Sequence, residues 1–300
     1  MKQEILPGFF EIRTPLEDGF VNAYLALRGD CALLIDSGRK ETASAVLALL
    51  AELGLATNRL RYLINTHSHP NHIGSNGILK TECGCEIFAH PEGIPRIENH
   101  GRLLEDVYDQ FGDYWPVSDA FKKAFFDGLG VPASVDTPAD FHRPFERPGF
   151  EDIQLIPLPG HQNDCLGVFF PKEEVLIVGD ALQRRGIGPH FQQYDHRQAY
   201  LDSLQRIREL KPRWLLSGHF PPLSGTETED FLNQSEAAVW EIDYRIATVK
   251  QQLGENAPLW DVALAVHEGM GKSLEFSGLL TIRAHLREEE NPEFDPQDEP

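Results

Sequence analysis

Residues 60–74 read LRYLINTHSHPNHIG: an apolar run from Leu60 to Ile64 passes directly into a loop that carries His67, His69 and His72 within six residues. A short run of Leu, Ile and Tyr ending in a loop with Pro and Gly reads as a buried strand that delivers its loop to a sheet edge. The same grammar recurs three times downstream. His161 follows Ile153 to Ile156 in LIPLPGH, Asp180 follows Val175 to Val178 in LIVGD, and His219 follows Trp214 to Leu216 in LLSGH. Strands that share one sheet system can bring their ends to one edge and hold the side chains there rigidly.

Around these runs the chain alternates strand and helix. Phe9 to Ile12, Val21 to Leu27, Cys31 to Ile35 and Leu166 to Phe170 read as further strands, and Glu41 to Leu53 and Arg197 to Leu210 as helices, which predicts a layered α/β domain. Residues 91–148 form a helical excursion, with pieces near Arg102 to Phe111 and Asp119 to Phe126. From Glu227 onward the pattern is helical only, and Phe231, Ala238, Val239, Ile242, Ile246 and Val249 fall on one stripe. The expected organisation is therefore residues 1–225 as a catalytic domain, 226–287 as a helical C-terminal module, and 288–300 as an acidic, disordered tail.

Composition narrows the partners. The 300 residues hold 27 Lys and Arg against 47 Asp and Glu, a net charge of −20. Removing the seven acidic residues of the tail still leaves −13, a poor balance for gripping phosphates, so no nucleic acid is expected. No apolar run reaches the roughly 18 residues of a membrane span, and Glu4 and Pro7 interrupt the first ten residues. A cytoplasmic chain acting on a small molecule is the expectation. Cys31, Cys83, Cys85 and Cys165 are too few for a disulfide scaffold and read as small buried thiols.

One histidine after a strand is ordinarily structural, but three within six residues, followed by His161, Asp180 and His219 in the same context, form a ligand pattern. Imidazole nitrogens suit zinc, and three of them plus a water make the open arrangement used for hydrolysis. In order and spacing, these residues resemble the ligand set of the metallo-β-lactamase superfamily, over roughly residues 5 to 223. The resemblance implies a four-layer αβ/βα sandwich with the metal at one sheet edge. It also implies that His67, His69 and His161 hold a first metal, that His72 and His219 serve a second, and that Asp180 bridges. Asp36, in LLIDSG, matches a structural position near the first helix.

One position departs from the family's HxHxDH motif: this chain has Asn71 where an aspartate would hold the second metal and handle a proton. An amide oxygen is a weaker ligand, and Asn is no base at neutral pH. A filled first site and a weakened second one are expected, with zinc as the metal and iron or manganese as alternatives. The helical additions are similar to those of hydroxyacylglutathione hydrolases. That likeness implies hydrolysis of a small ester, thioester or lactone by a metal-bound hydroxide, with Asp180 and the altered Asn71 at the catalytic position.

The alternatives are a mononuclear iron persulfide dioxygenase, a β-lactamase-fold ribonuclease disfavoured by the acidic charge, and a degraded binding site resting on Asn71 alone. His190 and Tyr194 are expected as substrate contacts, and Arg184 and Arg185 as weaker ones. Asp164 is read as a solvated turn residue, His90 as lying outside the metal ligands, and His285 as without a role. Residues 255–287 lack a basic recognition helix, so the C-terminal helices are read as a lid or a homodimer contact.

Overall fold

The computed structural model describes residues 1–16, 19–182 and 191–290. His190, Arg184, Arg185 and tail residues 291–300 lie outside the described residues. In chain order the elements begin β1 (Lys2–Leu6), β2 (Phe9–Leu16), β3 (Gly19–Arg28), β4 (Cys31–Ile35), α1 (Thr42–Glu52), β5 (Leu60–Ile64), α2 (Pro70–Ile73), α3 (Asn76–Cys83) and β6 (Glu86–Ala89). The excursion supplies α4 (Ile94–Glu98), α5 (His100–Tyr108), α6 (Asp119–Gly128) and β7 (Thr137–Pro138). Then follow β8 (Gln154–Pro157), β9 (Leu166–Phe170), β10 (Val175–Gly179), α7 (Arg197–Leu210), β11 (Trp214–Ser217), β12 (Leu223–Ser224), α8 (Thr226–Leu253), α9 (Leu259–Gly269) and α10 (Phe276–Glu290).

Two sheets result. The first has seven strands in sequence order, β1 to β7, antiparallel as far as β4 and parallel from β4 onward. The second runs β12-β11-β10-β9-β8. Within it β9 is antiparallel to both β8 and β10, and β10 is parallel to β11. Consequently β8, β10 and β11 all point the same way and end at one edge.

Alternation of side chains explains the layers. Leu33 and Ile35 of β4 join Tyr62, Ile64, Val168, Phe170, Val175 and Ile177 in the core between the sheets. Their neighbours Ala32 and Leu34 face outward and pack with Val46, Leu49 and Leu50 of α1. On the far side Leu176 and Val178 of β10 meet Tyr200, Leu204 and Ile207 of α7. A strand buried on both faces has no polar side to show, which is why these runs read as continuous apolar segments.

The C-terminal helices are not apart from this core. Phe231, Leu232 and Val239 of α8 and Ala284 of α10 belong to the same apolar cluster as the outer face of the second sheet. Gly225, where the sequence places a boundary, is the residue that precedes α8. The four cysteines are free and buried. Cys83 ends α3, and Gly84 takes the left-handed conformation, with φ of 68°, that stops the helix. Burial pushes the Cys85 thiol up to about 12, as expected of a packed thiol.

Phe170 meets Phe9 edge-on at 4.9 Å across the central layer. Phe170→Ala is expected to cost about 3–5 kcal/mol, read as a lower urea midpoint with an unchanged slope; a loss below about 1 kcal/mol would show that the two sheets do not share this core.

Candidate metal centre

The site is assembled where strand ends meet. Thr66 O accepts a hydrogen bond from Leu166 N, tying the loop after β5 to the start of β9. Asn22 N donates to Gly218 O at 2.8 Å, and Tyr24 Oη donates to Ser217 O at 2.7 Å, so β3 clasps the exit of β11. Gly218 is needed there: a Cβ on it would lie 2.4 Å from Asp180 Oδ1 and 2.7 Å from His72 Cε1.

His67, His69, His161 and Asp180 come together with ligand atoms within 4.8 Å of one another, and His72, Asp180 and His219 do the same beside them. Asp180 belongs to both groups. Its Oδ2 lies 3.2 Å from His219 Nε2 and 3.8 Å from the Nε2 atoms of His67 and His161, while Oδ1 lies 3.3 Å from His72 Nε2. All six residues singled out by their sequence context meet in one place.

Their orientation is fixed from behind. His72 Nδ1 faces Asp36 Oδ2 at 2.8 Å, His161 Nδ1 faces the Gln193 carbonyl at 2.8 Å, and His219 Nδ1 faces the Phe20 carbonyl at 2.7 Å. His67 Nδ1 lies 3.1 Å from Thr66 Oγ1, whose own proton goes to Asp36. The Nδ1–H groups of His67, His161 and His219 are thereby committed to acceptors, and for these three the network assigns the lone pair to Nε2 on the side of Asp180.

These atoms suit a divalent cation. Nε2 of His67 and His72 and Oδ1 of Asp180 are buried with no hydrogen-bond partner among the described residues, and His69 turns its Nδ1 into the cluster, 3.0 Å from His161 Nε2. Several lone pairs crowded around a carboxylate repel one another unless a cation lies between them. Burial, then the neighbouring His72, holds the His67 imidazole well below its usual value; burial, then His161, does the same at His69. Burial also lowers His161. These three are neutral and ligand-ready near neutral pH. His72 differs: burial alone would lower it, but Asp180 and Asp36 on either side outweigh burial and raise it to about 10. Burial would likewise raise Asp180, yet His219 and His72 hold it well below the carboxylate range.

Asn71 enters α2 beside His219, and its Nδ2 lies 3.2 Å from His219 Nε2. Since His219 gives its Nδ1 proton to Phe20, Nε2 is the acceptor and the amide donates. The residue at the altered motif position therefore covers the lone pair that a second metal would use.

Other expectations are corrected. Tyr194, read as a substrate contact, is fully buried, with its ring stacked on Tyr200 at 4.8 Å and its hydroxyl 2.7 Å from His285 Nε2. Asp164 is no solvated turn residue: it is 1% exposed, and its carboxylate lies against Gly93. His90 stays outside the cluster, accepting from Glu92 N. Two contributors escaped the sequence reading. Tyr108 of α5 lies with its ring 6.4 Å from that of His69, and burial, then Asp180, keeps its phenol protonated. Gln193 acts through a backbone carbonyl, which no side-chain pattern reveals.

The metallo-beta-lactamase superfamily model matches residues 16–219, and the chain belongs to that family. Over 200 residues it is 24% identical to a beta-lactamase-like protein 2 homolog of Caenorhabditis elegans, covering 67% of this chain and 56% of that one. It is 29% identical over 180 residues to a hydroxyacylglutathione hydrolase of Thermosynechococcus vestitus, covering 60% of this chain and 54% of the relative. The crystal structure of a metallo-beta-lactamase family protein from Thermus thermophilus superposes with a TM-score of 0.74 at 23% identity, covering 96% of this chain and 95% of the other. This likeness supports the four-layer fold.

Asp36 accepts from Thr66 N at 2.7 Å, Thr66 Oγ1 at 2.8 Å and His72 Nδ1. Asp36→Ala strands these buried donors and is expected to cost about 3 kcal/mol or more, measured by urea unfolding with chelator present. A loss within about 0.5 kcal/mol of wild type would mean that the carboxylate does not organise the motif.

Proposed function

We propose that this metal-dependent hydrolase cleaves a small-molecule carboxylic ester, thioester or lactone at a site with one firmly held zinc ion. His67, His69 and His161 would hold the ion, with Asp180 beside them. The observation that carries this reading is the gathering of imidazole nitrogens around one carboxylate: Nε2 of His67 and His161, whose Nδ1–H groups are committed elsewhere, and Nδ1 of His69, 3.0 Å from His161 Nε2. When bound, such a metal lowers the pKa of a coordinated water toward about 7 and polarises a carbonyl oxygen.

The protein's own residues supply the rest. Asp180, kept ionised by its histidine neighbours, offers a carboxylate that can accept and hold a proton from an attacking water. Tyr108 presents a protonated hydroxyl beside the cluster, able to donate to a substrate oxygen. Its ring also begins an aromatic wall. Tyr108 stacks on Phe276 at 5.8 Å, and Phe276 meets Phe111 at 5.7 Å and Trp115 at 6.2 Å, all partly exposed. Such a wall favours a substrate whose acyl or leaving group is apolar. The relatives named as hydroxyacylglutathione hydrolases support the thioester among the candidates.

Asn71 sets the second group apart. With its amide donating to His219, the His72–Asp180–His219 group must give up a hydrogen bond to take a cation and has only one carboxylate to offset the charge. Elemental analysis of protein purified without added metal is expected to find one tightly held equivalent, and Asn71→Asp to tighten a second by about tenfold or more. An ester, thioester and lactone panel on both proteins should show hydrolysis that chelation abolishes. Two tight equivalents in the wild type would overturn the one-metal reading, and no turnover of any class by metal-loaded protein would overturn the hydrolytic one.

A further inference from the structure

His161 differs from the other members of the cluster in what holds it. The orientation of His67 and His72 is set within the first sheet's loops, through Thr66 and Asp36, and that of His219 by the Phe20 carbonyl on β3. The acceptor for His161 is the Gln193 carbonyl, in the segment 191–196 that precedes α7. A backbone acceptor is only as well placed as the segment that carries it.

That segment is pinned on two sides. On the inner side the Gly160 carbonyl accepts from Asp195 N at 2.8 Å and His196 N at 3.2 Å. Gly160 itself passes so close to α7 that a Cβ would lie 2.4 Å from Tyr200 Cα. On the outer side the partners come from the C-terminal helices. Thr281 Oγ1 of α10 donates to the Gln192 carbonyl at 2.5 Å, one peptide unit from the acceptor. His285 Nδ1 donates to Asp243 of α8 at 2.6 Å, which leaves Nε2 to accept from the Tyr194 hydroxyl at 2.7 Å. Gln193 is thus flanked by two residues, each tied to α10, and all of Gln192, Tyr194, Thr281 and His285 are buried.

We infer that α10 is a positioning element for the metal centre: Thr281 and His285 fix the Gln192–Tyr194 backbone, the Gln193 carbonyl fixes the His161 imidazole, and cation affinity depends on a helix that contributes no ligand. The inference rests on the reading of His67, His69 and His161 as metal ligands. It replaces the lid or dimer role with a brace. Outer partners of a metal-binding histidine commonly govern affinity by about 10- to 100-fold, and here Thr281 and His285, in the C-terminal helices, are among the described residues whose side chains hold the segment carrying that partner.

The test uses full-length protein stripped with a chelator and titrated with Co(II), reading affinity and the visible ligand-field absorption. Thr281→Val is expected to weaken Co(II) binding about tenfold and to alter the absorption, with Thr281→Ser restoring both. Tyr194→Phe keeps the ring on Tyr200, removes only the hydroxyl, and should shift both readouts in the same direction. Wild-type affinity and spectrum in Thr281→Val and Tyr194→Phe would overturn the inference. So would an equal loss in Phe231→Leu, which loosens the shared core without touching the brace. Failure of the underlying metal reading looks different: His161→Ala would then bind Co(II) as tightly as the wild type.

Discussion

The buried carboxylate of Asp36 is the interaction on which the site's geometry depends. It sits just past β4 in the left-handed region, with φ of 59°, and accepts from the backbone and hydroxyl of Thr66 and from His72 Nδ1. Those bonds tie the end of one parallel strand to the loop leaving the next, so the turn containing His67, His69 and His72 has one conformation. An Asp tolerates that backbone better than most residues because its short side chain can bond locally. The carboxylate also acts on charge. Facing Asp180 across His72, it makes the space between them favour a positive group.

From that fixed turn the rest follows by strand direction. Since β8, β10 and β11 run the same way, the residues after them, His161, Asp180 and His219, arrive at the edge that the first sheet's loop already occupies. Alternating side chains bury both sheets against each other and against α1 and α7, which makes the edges rigid. A cluster of neutral imidazoles around an ionised carboxylate is costly in such an interior. The fold carries that cost at the place where a cation would relieve it.

Much of this was legible in the residues because it is written in local pattern. Cys31–Ile35, Leu60–Ile64 and Leu166–Phe170 are strands with the bounds the apolar runs suggest, and α7 spans Arg197–Leu210 as read. The six ligand candidates each follow such a run, so their convergence needed only the strands to share an edge. What stayed hidden was non-local. β1 and β6 are short and carry charged residues, so periodicity did not mark them. Tyr194 follows Asp180 in sequence, yet stacking on Tyr200 takes it into the core. Gln193 matters through its carbonyl and Thr281 through a bond to Gln192, and neither residue type signals such a role. Asn71 could be read as a lost ligand, but its donation to His219 emerges only from the fold.

The central claim is that His67, His69, His161 and Asp180 form a cation site held ready by its surroundings. Anomalous diffraction at the zinc absorption edge, from crystals of protein loaded with one equivalent of zinc, tests it most directly. The account predicts a single strong peak in contact with the imidazoles of His67, His69 and His161, with the rings of His67 and His161 oriented by Thr66 and the Gln193 carbonyl as they are here. A principal peak at the His72–Asp180–His219 group, or at any place outside these residues, would contradict it.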